Sequence, residues 1–405
     1  YHFARYARLK EAYETAWRGL AALGDIKNAD RCHLLASLGW VVSFQSGEAF
    51  KEARDMLTQA LDMAEKLGNE RLLGSVLLRK AVHHYFYWQA SEALDVSLRA
   101  EKLLRSVGNL YDVASALMIA QWGRVWLGRL DEAARIGAEA KSLGLQTRNE
   151  LARFLADHVD ALRELAVTAD LDHFEGRVAT QVDFARTFGI GWIAFDYGSL
   201  GRAQFWRGQW EKAKRTFEKG AEFEMPGAAY GSCTMPLFLV TAYATDKNDA
   251  LAVLQRAKEV LRQGTATAHT LRALDAAVEG LVVLGEWDEA AKHYPLALEA
   301  VGTGNLIRVP FDGLVQTVAG VAAMAGGQWE KAEEHYQTAL RQAHEIPHKI
   351  EQSEVRRWYA RMLIERNAPG DKEKARTLLT EAIAMYRHIG MPKHLEMAES
   401  LLSRT

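Results

Sequence analysis

"LGRLDEAARIGAEA" at residues 127–140 and "LGEWDEAAKHYPLA" at residues 284–297 are nearly the same phrase written twice in one chain. Their common part is a glycine, then a tryptophan or leucine, two charged residues and an alanine. With that alanine as anchor, the phrase recurs clearly at Ala133, Ala213, Ala290, Ala332 and Ala375. Weaker copies sit at Ala12, Ala53, Ala93 and Ala250, and Phe174 takes the anchor place in a degenerate one. Successive anchors are 41, 40, 40, 41, 39, 37, 40, 42 and 43 residues apart. A spacing this constant marks a repeat architecture covering essentially the whole chain.

Each unit reads as two helices. In "YGSLGRAQFWRGQWEKAKRTFEKGA" (197–221), apolar residues recur at helical spacing as far as Phe205 and Trp206, and "RGQ" then interrupts. A second helix opens at Trp210, with Glu211 in the first turn where a negative charge suits the helix dipole. Gly208 supplies the left-handed conformation that such a turn needs. The anchor alanine lets the two helices approach closely, and Phe217, four residues on, fills the space beside it. One hairpin cannot bury both faces, so neighbours must stack into a continuous core. Pro226, Pro236, Pro310, Pro347, Pro369 and Pro392 all fall between the helices so drawn. Pro295 falls inside the second helix of its unit and predicts a kink there or a helix that starts late.

The spacing Tyr197-x-x-Leu200-Gly201, followed by Ala213 and Phe217, resembles the tetratricopeptide repeat. Leu35-x-x-Leu38-Gly39 matches in the same way, as do Ala290 with Tyr294 and Ala332 with Tyr336. The period of about 40 residues exceeds the family's 34, which longer helices or linkers accommodate. This longer period is similar to the helical arrays of large bacterial signalling ATPases, including ATP-dependent transcription activators. The closing stretch "AIAMYRHIGMPKHLEMAESLL" resembles the carboxyl end of bacterial adenylate/guanylate cyclase-like proteins that carry such arrays. The resemblance implies that any cyclase or ATPase activity lies in domains outside these 405 residues, and a first residue of Tyr1 suggests a fragment.

Composition bounds the partners. A net charge of −2 gives no reason to expect direct nucleic-acid binding or an anionic membrane surface. No apolar stretch reaches 18 residues. Cys32 and Cys233 are the only cysteines, too few for a disulfide framework or an all-cysteine zinc site. With no cleavable signal and no Asn-x-Ser/Thr acceptor, a cytoplasmic location is expected.

Catalytic motifs are weak. "HEIPH" (344–348) satisfies H-E-x-x-H, but Pro347 interrupts the helix that a zinc site would need, and no third ligand is evident. "FGIGW" (Gly189, Gly191) and "VGTGN" (Gly302, Gly304) contain only Gly-x-Gly, and no phosphate loop exists. Cys32 beside His33 reads as a buried thiol next to an incidental histidine. "HHYFYW" (83–88) reads either as an aromatic ligand pocket or as a buried first helix.

In tetratricopeptide arrays the first helices line the concave face, where partners bind. The register assigns to that face Trp40 and Phe44, Tyr85 and Phe86, Trp122 and Trp126, then Arg202, Phe205 and Trp206. Tyr243 follows, and then Arg272, Asp275 and Glu279. Large aromatics beside a few charges suit a groove for a ligand or peptide, and they equally suit packing between first helices. Trp122 with Trp126, and Arg202 with Trp206, share helical faces, and the second pair is placed for a cation–π contact.

The fold expected is therefore an all-α, right-handed superhelical solenoid of about ten tetratricopeptide-like hairpins. Its divisions are a subarray at 1–150, a degenerate unit and bend at 151–190, and a second subarray at 191–405 with a capping carboxyl-terminal helix. The function expected is a non-catalytic interaction or sensor region, without cofactor. It binds a protein, peptide or small effector on the concave face and regulates attached signalling domains; a homodimer is compatible with it. The alternative is a helical-repeat enzyme or metalloprotein using the HEIPH stretch.

Overall fold

The computed structural model describes residues 8–44, 49–224, 231–244, 247–261, 268–308 and 313–405. Pro226 and Pro310, expected between helices, lie outside them. Leu9–Leu23 (α1) stands alone as the second-helix half of the first unit. Paired helices follow: Ala29–Val42 with Ala49–Leu67 (α2, α3), Glu70–Phe86 with Ala90–Ser106 (α4, α5), and Leu110–Trp126 with Leu130–Thr147 (α6, α7). Next come Glu150–Thr168 with Leu171–Phe188 (α8, α9), Ala194–Trp206 with Trp210–Ala221 (α10, α11), and Thr234–Tyr243 with Lys247–Leu261 (α12, α13). Ala268–Val283 (α14) pairs with a second helix in two pieces, Trp287–Ala291 (α15) and Tyr294–Gly302 (α16). Val315–Ala325 with Trp329–Glu345 (α17, α18) and Lys349–Arg366 with Asp371–Ile389 (α19, α20) complete the pairs, and Pro392–Leu402 (α21) caps the end. The result is a right-handed superhelical solenoid of tetratricopeptide-like hairpins. Among the described residues there is no strand, only a lone antiparallel bridge between Ile307 and Leu314. No described helix is long and apolar enough to cross a membrane.

The anchors explain the pairing. All ten are buried, Ala12 being the most accessible at 8%. The aromatic or leucine four residues on presses against a glycine of the first helix. A Cβ added at Gly201 would lie 2.5 Å from Phe217, one at Gly320 2.7 Å from Tyr336, and one at Gly39 2.9 Å from Leu57. Five residues before the anchor the chain turns left-handed, with glycine at 128, 208, 285, 327 and 370 (φ 65° to 85°). Two hairpins break that rule: Trp88 and Ala169 occupy the same position with φ 56°, at a cost of about 1–2 kcal/mol each.

Prolines sit where a missing N–H does least harm. Pro347 and Pro369 lie in turns, and Pro236 and Pro392 lie inside α12 and α21 but in their first turns. The second helix of the Ala290 unit stops at Ala291 and restarts at Tyr294, so that Pro295 stands in a new first turn. At the degenerate unit Phe174 is buried in the anchor place. There α8 and α9 are held by charge: Arg177 reaches Asp157 at 2.6 Å, Asp160 at 3.0 Å and Glu164 at 2.7 Å, and Lys141 on α7 joins Asp160 at 2.8 Å.

The superhelix winds tightly enough for distant units to touch. Asn305 donates from Nδ2 to the carbonyl of Trp88 at 2.5 Å. The N–H groups of Leu306 and Ile307 both donate to the carbonyl of Trp126, at 2.8 and 3.1 Å. Ile346 packs on Gly128, and Pro392 packs on Gly208. The turns of one coil are thus pinned by the next.

The anchors generate a stability prediction. Ala213→Leu or Ala332→Leu forces extra methylenes into a crossing with no free volume and should cost about 1–3 kcal/mol in urea unfolding. The midpoint should fall for probes in adjacent units as well. Unchanged unfolding in both variants would refute the register.

Candidate functional site

The first helices of the amino-terminal half frame an apolar groove of about 430 Å³. Trp40 and Phe44 enter from α2 and its end, Tyr85 and Phe86 from α4, Met118 and Trp122 from α6, and Leu151 and Leu155 from α8. Trp192, in the turn before α10, and Phe195 close one end, and Ala12 and Ala16 of α1 lie at the other. Packing holds the aromatic rings in place. Trp40 meets Phe44 edge-on at 4.9 Å, Phe44 lies 4.4 Å from Phe86 and 5.6 Å from Trp192, and Tyr85 meets Trp122 edge-on at 5.2 Å. Trp122 stacks on His158, whose Nδ1 lies 2.8 Å from Asp196 in the interior. Burial pushes the Asp196 carboxyl up, with His158 opposing it.

Polar groups are few here. His33, Ser37, Ser115 and Arg79 reach the groove from α2, α6 and α4. Burial lowers the Arg79 guanidinium to about 10, with Cys32 opposing it. Cys32 itself is buried and donates to the carbonyl of Ala60 at 3.1 Å. His33 is also held below its ordinary value, by burial first and then by Arg79.

Farther along, the inner side is filled. Arg202, Phe205, Trp206, Asp275 and Glu279 come together around a polar space of about 30 Å³, with Arg308, Glu351, Glu354 and His394. Arg202 lies 3.7 Å from Asp275 and 6.0 Å from the Trp206 ring. Arg308 pairs with Asp275 from the other side. Arg357 reaches Glu354 at 2.5 Å and Glu279 at 3.7 Å, and the Tyr243 and Tyr386 hydroxyls donate to Glu279 (2.5 Å) and Glu354 (2.7 Å). Burial would raise Glu354, but Arg357 and then His394 outweigh it and hold the carboxyl at about 2. Glu351 faces Arg308 and Thr317, yet burial wins and pushes it up to about 7. Burial takes His394 down to about 4. This is a buried ionic hub joining α10, α14, α17, α19 and α21, with room for about one water molecule.

The expected concave set therefore divides. Trp40, Tyr85 and Trp122 line the groove. Arg202, Phe205, Trp206, Asp275 and Glu279 belong to the hub. Trp126 lies wholly inside, stacked on Tyr85 at 5.0 Å. Arg272 is buried with its guanidinium 5.0 Å from the Phe195 ring, between the two. Sequence reasoning missed Arg79, Met118, Trp192 and Phe195. Arg79 and Val82 stand seven and four residues before Phe86, and Met118 four before Trp122, so the helical face had been followed for its last turn only. Of the HEIPH stretch, His344 is exposed in the last turn of α18, whereas His348 is buried at the start of α19, where its ring accepts from the Glu351 N–H. The two histidines share no helix, and among the described residues no group of three or more His, Cys, Asp or Glu is placed to hold a metal.

No family model matches the chain, and no curated protein matches it. Solved structures do. The Rap protein complexed with Competence and Sporulation Factor superposes with a TM-score of 0.61 at 13% identity, over 86% of this chain and 96% of that one. Yeast Tom70 (TM-score 0.43, 13% identity, 98% and 86% covered) and Cut9 of the APC/C Cut9–Hcn1 hetero-tetramer (0.40, 12%, 98% and 94%) align more loosely. At these identities the likeness is one of fold, a tetratricopeptide-like array.

The hub makes stability depend on pH through Glu351, Glu354 and His394. Between about 4.5 and 7 the native state keeps the Glu351 proton that the unfolded chain releases, so this group's contribution falls as pH rises. Glu354 acts oppositely: its contribution is complete above about 4.5 and is lost as pH falls toward 2. His394, taken down to about 4, works against Glu351 over much of the same range, so in Glu351→Gln stability should rise more, or fall less, between about pH 4.5 and 7 than in the unmodified chain. Glu354→Gln should flatten the lower limb and cost on the order of 3 kcal/mol at neutral pH by weakening the pairing of buried Arg357. Urea unfolding from pH 3 to 8 checks both.

Proposed function

We propose that the chain is a non-catalytic, effector-binding repeat array of the cytoplasm whose site is the groove between α2, α4, α6 and α8. Trp40, Tyr85 and Trp122 contact the ligand, while Trp126, Arg202, Phe205, Trp206, Arg272, Asp275 and Glu279 hold the walls in place. The observation that supports this reading is the groove itself: about 430 Å³ of apolar space in an otherwise close-packed interior. That falls within the range of small-molecule sites. The hub fills the inner side of the other half, so a small effector, or the apolar end of a short peptide, suits the geometry better than a folded partner. The Rap protein, which has this fold, was solved with a factor bound, in keeping with a regulatory role. The longer repeat period and the closing stretch support attachment to signalling domains. The divisions 1–150, 151–190 and 191–405 belong to the same reading, with the ion-paired α8–α9 unit as the joint between groove and hub.

The test is a thermal-shift screen of the purified chain against metabolites and short peptides. A ligand at 100 times its Kd adds about 2.7 kcal/mol. Met118→Trp, which puts an indole into the groove, should abolish the shift for every hit, and Trp40→Ala should weaken binding by about 2 kcal/mol. Hits indifferent to both variants would overturn the assignment.

A further inference from the structure

Arg79 is the one arginine among the described residues lining the groove, which no Asp, Glu or Lys lines, and it is placed as an anchor. On its own helix it makes contact through one guanidinium nitrogen only, which donates to the Ser75 hydroxyl at 2.8 Å and the Ser75 carbonyl at 3.0 Å. Among the described residues no carboxylate pairs with it. The hub arginines contrast with it: Arg202, Arg308 and Arg357 each meet an Asp or Glu. A guanidinium is hard to desolvate without an anion and is shaped to hold a carboxylate through two parallel hydrogen bonds. Its neighbours in the groove include Leu78, Val82 and Phe86, against which a ligand's hydrocarbon would lie.

Resting on the groove reading above, we propose that the ligand is a small amphipathic carboxylate: a hydrocarbon body in the aromatic groove and a single carboxylate on Arg79. At a water-sized ~30 Å³ per non-hydrogen atom, the groove has room for roughly fourteen such atoms, which matches a medium-chain acid. The aromatic walls recognise the chain without directional demand, and Arg79 fixes which end enters.

The full chain is titrated at neutral pH with decanoate, decanol and decyltrimethylammonium, following tryptophan fluorescence and heat. Decanoate should bind about tenfold or more tighter than decanol, and the cation should bind weakest. Arg79→Gln should bring decanoate down to the decanol level and leave decanol unchanged, and Arg79→Lys should restore part of the difference. Equal binding of decanoate and decanol by the unmodified chain would overturn the proposal and leave the groove standing, and that comparison needs no variant to fold. Persistence of the difference in a folded Arg79→Gln chain would overturn it too. If no alkyl probe binds, the proposal falls while the groove reading stays with the metabolite and peptide screen; if all bind regardless of Met118→Trp, the groove reading itself falls. A short apolar peptide that displaces decanoate at far lower concentration, through a blocked carboxyl end, would assign the groove to peptides instead.

Discussion

In every hairpin but the one at Phe174, an alanine methyl is the side chain buried where the two helices cross, and the rest of the molecule depends on that close approach. Ala213 sits against the first helix of its unit with no accessible surface, and Phe217 lies across Gly201 so closely that even a Cβ there would clash. Close crossing fixes the angle within each hairpin. Repeated every 40 residues or so, the same angle fixes the rotation from one unit to the next, and hence the radius of the superhelix. The radius here is small. The turn at Trp88 meets Asn305 and the turn at Gly128 meets Ile346, each about 220 residues away in sequence. Local sterics at the anchors thereby decide whether there is an inside, and how much of it remains empty.

The contrast between the two halves follows from what lines that inside. Arginines and carboxylates from α10, α14 and α19, with Arg308 from the segment before α17, neutralise one another in the second half, where a buried charge left alone would be costly. Hydroxyls of Tyr243 and Tyr386 satisfy the remaining lone pairs. Such a hub adds little net stability compared with apolar packing, but separating any of its buried charges from its partner would be costly, which ties α10, α14 and α19 to one another. The first half has aromatics where the second has charges. Flat, rigid rings meet edge-on and leave space between them that flexible aliphatic chains would have closed, and so a groove persists there.

The period, the hairpins and the buried anchors were legible in the sequence because each depends on residues within one unit. The aromatic side of the groove was legible for the same reason: Trp40, Tyr85 and Trp122 follow from helical register alone. Arg79 was not read because an arginine on a first helix looks like any solvated charge until its surroundings prove to lack a carboxylate. Trp192 lies in a turn, where periodicity carries no information. The filling of the second half was beyond local reading altogether, since Arg308 meets Asp275 and Glu351 only after the chain has wound back on itself. Trp88 is a mixed case. A tryptophan at a left-handed turn position is visible as an exception, but its reason, a carbonyl held by Asn305 from the next coil, is not.

Groove and hub are joined by a continuous set of side chains. Trp122 stacks on His158, His158 is bonded to Asp196, Phe195 lies beside both Trp192 and His158, and Arg272 sits over the Phe195 ring. Arg272 is on α14, the helix that also carries Asp275 and Glu279 into the hub. Phe195 stands in the first turn of α10, and the last turn of α10 carries Phe205 and Trp206 at the hub. From the far side α19 and α21 bring Glu354, Arg357 and His394 to the same place. In a solenoid whose coils are pinned turn to turn, this is an unbroken run of contacts from the groove near the amino terminus to the carboxyl-terminal cap.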